Sequence, residues 1–166
     1  ALIFLPLALS ACGLTPMYAG GSTGAIAQGL AGVQVPPIEG RAGWLMRNAL
    51  VDRLGAADGS GSRYRLDVRL DDSLEALGVL NDDTISRERR ILRARYQLVE
   101  LASGAVLLDA TAGSDAGIDV VSSEYATIAA EQKALENLAL KLAEQMATQV
   151  SLALRNRAAV SQSPGR

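Results

Sequence analysis

The sequence predicts an α/β fold of the α+β type, in which two helices pack on one face of a roughly four-stranded, mostly antiparallel sheet. Residues 63–70 alternate apolar and charged side chains, and a second alternating segment runs from near Ser86 to Leu98. Residues 123–155 contain neither Gly nor Pro and carry a single apolar stripe. The chain has 166 residues, of which 49% are hydrophobic and 20% charged, so a single domain with a substantial core is expected.

The first element is an uncharged apolar run from Leu2 to Cys12, which is the only cysteine. A short apolar segment followed by small residues is typical of a secretory signal peptide, and Leu9-Ser10-Ala11-Cys12 resembles the lipobox of bacterial lipoproteins. We therefore expect cleavage before Cys12 and acylation of Cys12, including palmitate. A buried helix is disfavoured by Pro6, and the run is shorter than the roughly 20 residues of a membrane span. The basic start of a signal peptide is missing, so we expect further residues before Ala1.

The composition divides the chain into four parts. Residues 1–11 are the predicted signal peptide, and residues 12–32, which are uncharged and rich in Gly, Ser, Thr and Ala, form a lipidated flexible tether. Residues 33–157 form the domain. Residues 158–166 are expected to be a disordered tail.

The domain begins with a short strand and a helix. Val33, Val35 and Ile38 surround two prolines, which cannot donate to a ladder and so place this strand at a sheet edge. In residues 41–54, apolar side chains recur every four residues on one helical face, and Gly55 is suited to end the helix. These apolar residues are Met46, Leu50 and Leu54. Trp44 on this helix is expected to be a packing residue.

A meander of three or more strands follows. In the first strand Tyr64, Leu66, Val68 and Leu70 form one face, and in the second Leu92, Ala94, Tyr96 and Leu98 do so. Ser103-Gly104 predicts a tight hairpin leading into a third strand, residues 106–112. A short apolar run at residues 118–121 is expected to extend that strand past a bulge.

The last element is a long helix over residues 123–155. Ser122 or Ser123 can cap its start, and Arg155 and Arg157 favour its negative end. Its length of roughly 50 Å exceeds the width of a small domain, so part of it is expected to project or to lie along a partner. Its stripe is best explained as core. The stripe consists of Ile128, Leu135, Leu138, Leu142, Met146, Val150 and Leu154.

The composition also argues against catalysis, metal binding and nucleic-acid binding. The chain has no histidine, which removes the commonest general base and zinc ligand, and the formal charge of -2 gives no general attraction to nucleic acid. The acidic residues between Asp71 and Asp83 lack the ligand spacing of a calcium loop. Phosphate-binding loops and nucleophile elbows are missing from the sequence. We expect a protein that is not an enzyme and that needs no cofactor or metal.

Arginines are the one group of residues suited to recognition. If the strands near residues 66 and 93 are neighbours, seven arginines share the sheet face opposite the helices. Guanidinium groups bind phosphates through paired hydrogen bonds, so this face suits a phosphorylated lipid or an acidic protein wall. A solvated face whose charges prevent aggregation explains the pattern equally well. The seven are Arg63, Arg65, Arg69, Arg87, Arg89, Arg93 and Arg95.

Four stretches carry a family resemblance. The start of the mature chain, Cys12-Gly13-Leu14-Thr15-Pro16-Met17-Tyr18, resembles the Cys-Gly-Phe-x-Pro-Leu-Tyr start of the LptE family of lipopolysaccharide-assembly lipoproteins, particularly its alphaproteobacterial branch. Leu14 and Met17 are conservative departures. Three further stretches fit the same family, and together they cover nearly the whole mature chain. They are Asn48–Leu54, Arg93–Leu98 with Ser103-Gly104, and Tyr125-Ala126-Thr127 with Ala129, Ala130 and Glu131.

The resemblance implies a lipoprotein on the periplasmic face of the outer membrane. It would plug and help assemble the LptD β-barrel and assist lipopolysaccharide transport to the cell surface. Within this interpretation Arg87, Arg89, Arg93 and Arg95 are the candidate contacts to lipid A phosphates or acidic lumen residues. The sequence leaves other classes open: an auxiliary lipoprotein of an ABC-type phospholipid transporter, an activator of a cell-wall synthase and, least favoured, an envelope hydrolase.

Overall fold

The computed structural model describes residues 25–56, 61–77 and 87–161. The predicted signal peptide, Cys12, the tether up to residue 24, Asp82, Asp83 and the last five residues lie outside the described residues.

Seven elements follow one another along the described chain. They are α1 (Ala25–Ala31), β1 (Val33–Gln34), α2 (Gly40–Leu54), β2 (Tyr64–Ala76), β3 (Arg87–Glu100), β4 (Val106–Asp119) and α3 (Glu124–Ser161). The four strands form one sheet in the order β1-β2-β3-β4. Only β1 and β2 are parallel, while β2, β3 and β4 form an antiparallel meander. The predicted α+β fold class is therefore confirmed.

The hairpin between β3 and β4 lies where the sequence places it. Gly104 has a φ of 72°, a left-handed conformation that favours glycine. The Glu100 amide donates to the Ala105 carbonyl at 2.9 Å, and the Gly104 amide donates to the Glu100 carbonyl at 2.8 Å. The register shifts between Leu98 and Val99, close to this turn, and not between residues 112 and 118, where the sequence predicts a bulge. As a result β4 continues through residues 113–119 without interruption.

One apolar core lies between the sheet and the two longer helices. Met46 and Leu50 of α2 and Leu142 and Met146 of α3 are fully buried. The sheet contributes Leu66, Leu92, Ala94, Tyr96 and Leu98 to the same core. The predicted inner positions are thus confirmed for α2, β3 and most of the α3 stripe, but Ile128 is 43% exposed.

The predicted boundaries of the domain are wrong at both ends. Residues 25–31 form α1 and not a flexible tether, because Leu30 joins the core and Gly29 lies against Leu154. At the other end α3 continues to Ser161, beyond the predicted start of a tail at residue 158. Ala158 and Ala159 are strong helix formers, and no Gly or Pro interrupts the chain before Pro164.

Trp44 does not pack in the core as predicted, since its exposed fraction is 64%. It lies two residues before the buried Met46, which turns it about 200° away on a helix of 3.6 residues per turn. Gly43, in contrast, faces inward. A Cβ atom at Gly43 would lie 2.5 Å from the carbonyl oxygen of Ile38, so only glycine fits here without a backbone shift.

The far end of the inner sheet face is polar. Arg90 binds Asp72 through two hydrogen bonds of 2.7 and 2.8 Å and donates to the Glu131 carbonyl of α3 at 3.2 Å. Both side chains of this pair are largely shielded, with exposed fractions of 17% and 24%. The start of α3 is therefore held to the sheet by charge as well as by apolar contact.

Candidate anion-binding face of the sheet

The outer face of the sheet, opposite α2 and α3, is lined by charged residues of β2, β3 and β4. Because side chains alternate along a strand and the register pairs Arg69 with Arg95, six of the predicted arginines share this face. They are Arg65, Arg69, Arg87, Arg89, Arg93 and Arg95. The seventh, Arg63, precedes β2, and its guanidinium carbon lies 5.7 Å from the ring centroid of Tyr64.

Four of the six arginines are engaged in ion pairs with carboxylates on the same face. All four pairs are at least partly exposed, so each contributes little to stability. The shortest nitrogen-to-oxygen distances are 2.9 Å for Arg65–Asp67, 2.9 Å for Arg89–Glu75, 3.0 Å for Arg87–Asp119 and 3.1 Å for Arg95–Asp109.

In three of these pairs the pKa of at least one member is shifted. The hydrogen bond from Arg95, together with one from Gln97 at 2.8 Å, lowers the pKa of Asp109 below its ordinary value. Hydrogen bonds to their carboxylates likewise raise the pKa of Arg65, Arg89 and Arg95. Asp109 and these three arginines are therefore held in their charged forms at neutral pH.

Arg69 and Arg93 differ from the other four arginines. Within the described parts of the chain, neither forms an ion pair, and both side chains are exposed. Arg69 lies across from Arg95, a cation already bound to Asp109. Arg93 lies across from Asp71 on one side and from Gly113 on the other.

Arg69 and Arg93 both line a shallow depression of about 550 Å³. Its other walls include Asp71, Arg95 and Thr111, and Gly113 leaves space above β4 because it has no side chain. A Cβ atom at Gly113 would make only an ordinary contact, 3.5 Å from Cγ of Arg93. Two guanidinium groups in an open depression, neither of them in an ion pair within the described residues, are suited to bind an anionic group such as a phosphate.

The structure thus separates the four candidate residues that the sequence singles out. Arg87, Arg89 and Arg95 lie on the predicted face but are bound to carboxylates, while Arg93 binds no carboxylate among the described residues. Arg69, which the sequence places on the face without singling it out, lies beside Arg93 in the depression. The partners Asp109 and Asp119 are remote in sequence, and only the register of β3 and β4 reveals them.

The long helix α3 extends for 38 residues, about 57 Å at 1.5 Å per residue. The hydroxyl of Ser123 accepts a hydrogen bond from the Ala126 amide at 3.4 Å, which supports the predicted cap. No helix in the described residues combines the length and the apolar character needed to cross a membrane.

Comparison with known proteins finds a matching family and similar solved structures. Residues 30–150 match the family model LptE, lipopolysaccharide-assembly. The crystal structure of a lipoprotein from Caulobacter crescentus CB15 is similar, with a TM-score of 0.67 and 25% sequence identity over 78% of this chain and 96% of that one. Among proteins of curated function, none matches this sequence.

Two further solved structures share the fold at lower identity. Rare lipoprotein B from Shewanella oneidensis has a TM-score of 0.53 and 10% identity, covering 79% of this chain and 97% of that one. A minor lipoprotein from Acinetobacter baumannii has a TM-score of 0.52 and 15% identity, covering 72% and 88%.

Proposed function

The chain belongs to the LptE lipopolysaccharide-assembly family, and from this premise we propose that it plugs and helps assemble an LptD-type outer-membrane β-barrel during lipopolysaccharide transport. The match over residues 30–150 carries this proposal, because it spans every described strand and most of both longer helices. The family is one of non-enzymatic lipopolysaccharide-assembly lipoproteins, which supports a role in assembly.

We place the protein on the periplasmic face of the outer membrane, anchored by acyl chains on Cys12. Each buried methylene adds about 0.8 kcal/mol to membrane binding, so several chains on one cysteine hold a domain stably. In this arrangement residues 1–11 are removed and residues 12–24 connect the anchor to α1.

The outer sheet face suits the lumen of a barrel. Barrel interiors are polar and often water-filled, and this face presents exposed ion pairs in place of an apolar surface. The opposite face is already covered by α2 and α3, so it needs no partner to be buried.

Within this function, we assign Arg69 and Arg93 as contacts to anionic groups, either the phosphates of lipid A or acidic residues of the lumen. They are favoured over Arg87, Arg89 and Arg95 because the charge of each of those three is already balanced by a neighbouring carboxylate. Hydrogen bonds that involve a charged group contribute about 1.5–3 kcal/mol each, so two unpaired arginines can contribute substantially to affinity.

Purification from the native envelope tests the proposal. The full-length acylated protein is isolated in mild detergent, and the proteins that remain bound are identified by mass spectrometry. We expect a large outer-membrane barrel in near-equal amount. Recovery of inner-membrane transporter subunits or of a cell-wall synthase, without a barrel, would overturn the proposed function.

A further inference from the structure

One end of the domain, here named the basal end, brings together α1, the segment before β2, the β3–β4 hairpin and the last turns of α3. The Arg63 amide donates to the Gly32 carbonyl at 2.9 Å, and the Leu101 amide donates to the Arg63 carbonyl at 2.9 Å. Glu100 is bound to Arg157 of α3 at 3.3 Å. These contacts surround a cleft of about 590 Å³.

The basal end carries an excess of positive charge. The described residues that line its cleft include three arginines, Arg63, Arg155 and Arg157, and a single carboxylate, Glu100. Hydrogen bonds from Ser103 and Arg157 and the charges of Arg157 and Arg63 lower the pKa of Glu100, which remains ionised. Even so, two cationic charges are left over among the described residues that line this cleft, in a chain whose formal net charge is -2.

Apolar side chains are exposed around these arginines. Leu101 and Val106 of the hairpin are 42% and 53% exposed, and Val160 of α3 is 70% exposed. Val160 lines both the basal cleft and a neighbouring cleft formed with Leu107 and Leu152. Arginines interspersed with exposed apolar side chains are typical of surfaces that rest at the boundary between lipid headgroups and acyl chains.

The N-terminal chain also enters the domain at this end. Helix α1 contacts α3 near the C-terminal end of α3. A Cβ atom built on Gly29 would lie 3.6 Å from Cδ1 of Leu154. Residues 13–24, which separate Cys12 from α1, span at most about 40 Å when fully extended. An acyl anchor on Cys12 would therefore keep the basal end close to the lipid surface.

We propose that the basal end rests on an anionic phospholipid surface, with Arg63 and Arg155 at the headgroup phosphates, Arg157 beside them in its ion pair with Glu100, and the exposed apolar residues between them. The orientation rests on the proposed acylation of Cys12, but the surface itself can be tested without it. Such a contact would fix how the domain stands on the membrane before it meets a partner.

The test uses the chain from residue 12 onward with Cys12→Ala, which cannot be acylated and retains every described element. Co-sedimentation is measured with vesicles of phosphatidylglycerol and phosphatidylethanolamine, and with vesicles of phosphatidylcholine alone. We expect binding to the anionic vesicles that weakens as salt is added, and much less binding to the neutral ones. Equal binding to both compositions, or to neither, would overturn the proposal.

Matched variants locate the surface. Arg63→Gln/Arg155→Gln is expected to bind the anionic vesicles about 25-fold more weakly, since each arginine near such a surface contributes about fivefold. Arg41→Gln/Lys141→Gln removes the same charge from exposed positions that do not line the cleft and should bind as the parent does. An equal loss in both variants would contradict a specific basal surface.

A second variant separates charge from folding. Arg63→Lys/Arg155→Lys keeps the charge and should restore most of the binding, whereas failure to restore it in a folded protein would count against the proposal. Lipopolysaccharide binding of the Arg63→Gln/Arg155→Gln variant is measured in parallel and should be unchanged, so that this inference and the function assigned to Arg69 and Arg93 can fail independently.

Discussion

The two faces of the sheet use the same strands for different purposes. On the inner face, Leu92, Tyr96 and Leu98 of β3 are fully or almost fully buried under the helices. On the outer face of the same strand, Arg87, Arg89 and Arg95 hold exposed ion pairs, and Arg93 has no such partner in the described chain. Since buried apolar area dominates folding and exposed ion pairs contribute little, the inner face determines stability and leaves the outer face available for binding.

Removing a large inner side chain should have the largest effect. Leu142→Ala leaves a cavity in a fully buried part of α3, and we expect the free energy of unfolding to fall by about 2–5 kcal/mol. Urea denaturation followed by circular dichroism measures this change. Ile128→Ala is the matched control, because it lies in the same sequence stripe but is 43% exposed. A loss for Ile128→Ala as large as that for Leu142→Ala would contradict the difference in burial.

Gly43 of α2 offers a second test of the packing on the inner side of the sheet. Gly43→Ala places a Cβ atom 2.5 Å from the Ile38 carbonyl oxygen, and the required backbone shift should cost about 1–3 kcal/mol in unfolding free energy. Gly117→Ala, on the outer face, has no atom within 4 Å of its new Cβ and should be neutral or slightly stabilising. Equal melting temperatures for the two variants would show that Ile38 does not confine Gly43.

The sequence predicts the inner face well and the outer face only in outline. Burial alternates within each strand, so local patterns suffice to identify Leu92 and Tyr96 as core residues. Ion pairs such as Arg95–Asp109 depend instead on how β3 and β4 are aligned, and the register shift at Leu98 and Val99 is invisible in the sequence. For this reason the sequence could not separate Arg93 from its three paired neighbours.

Helix α1 escaped prediction for a different reason. Its composition of small residues is shared by flexible linkers, and the helix is stabilised by contacts that lie far away in sequence. Leu30 and its packing beside α3 reveal the helix only once the fold is known. Local propensity is a weak guide where tertiary contact supplies the stability.

The ion pairs of the outer face should appear in the dependence of stability on pH. The pKa of Asp109 is lowered in the folded state, so the stability it adds is present above the pKa of the unfolded chain and is lost as the pH falls through the folded value. We expect the unfolding free energy to decrease below about pH 4, by a modest amount because the group is exposed.

Arg95→Gln should make this acid-induced decrease smaller, because it removes the hydrogen bond that contributes most to the lowered pKa of Asp109. The measurement is chemical denaturation at neutral and acidic pH for the parent and the variant. Arg41→Gln, at an exposed position with no ion pair in the described residues, should leave the decrease unchanged. Identical pH profiles for all three proteins would show that the Arg95–Asp109 pair does not contribute to the pH dependence of stability.

The most direct measurement compares lipopolysaccharide binding by two double variants with the same charge loss. Arg69→Gln/Arg93→Gln removes the two arginines of the outer sheet face that form no ion pair within the described residues, and Arg87→Gln/Arg89→Gln removes two of that face that are bound to carboxylates. We predict that the first variant binds lipopolysaccharide at least about tenfold more weakly, with an unfolding free energy close to that of the parent, and that the second loses much less affinity. Equal losses, or full binding by a folded Arg69→Gln/Arg93→Gln protein, would contradict the assignment of the depression as the anion-binding site.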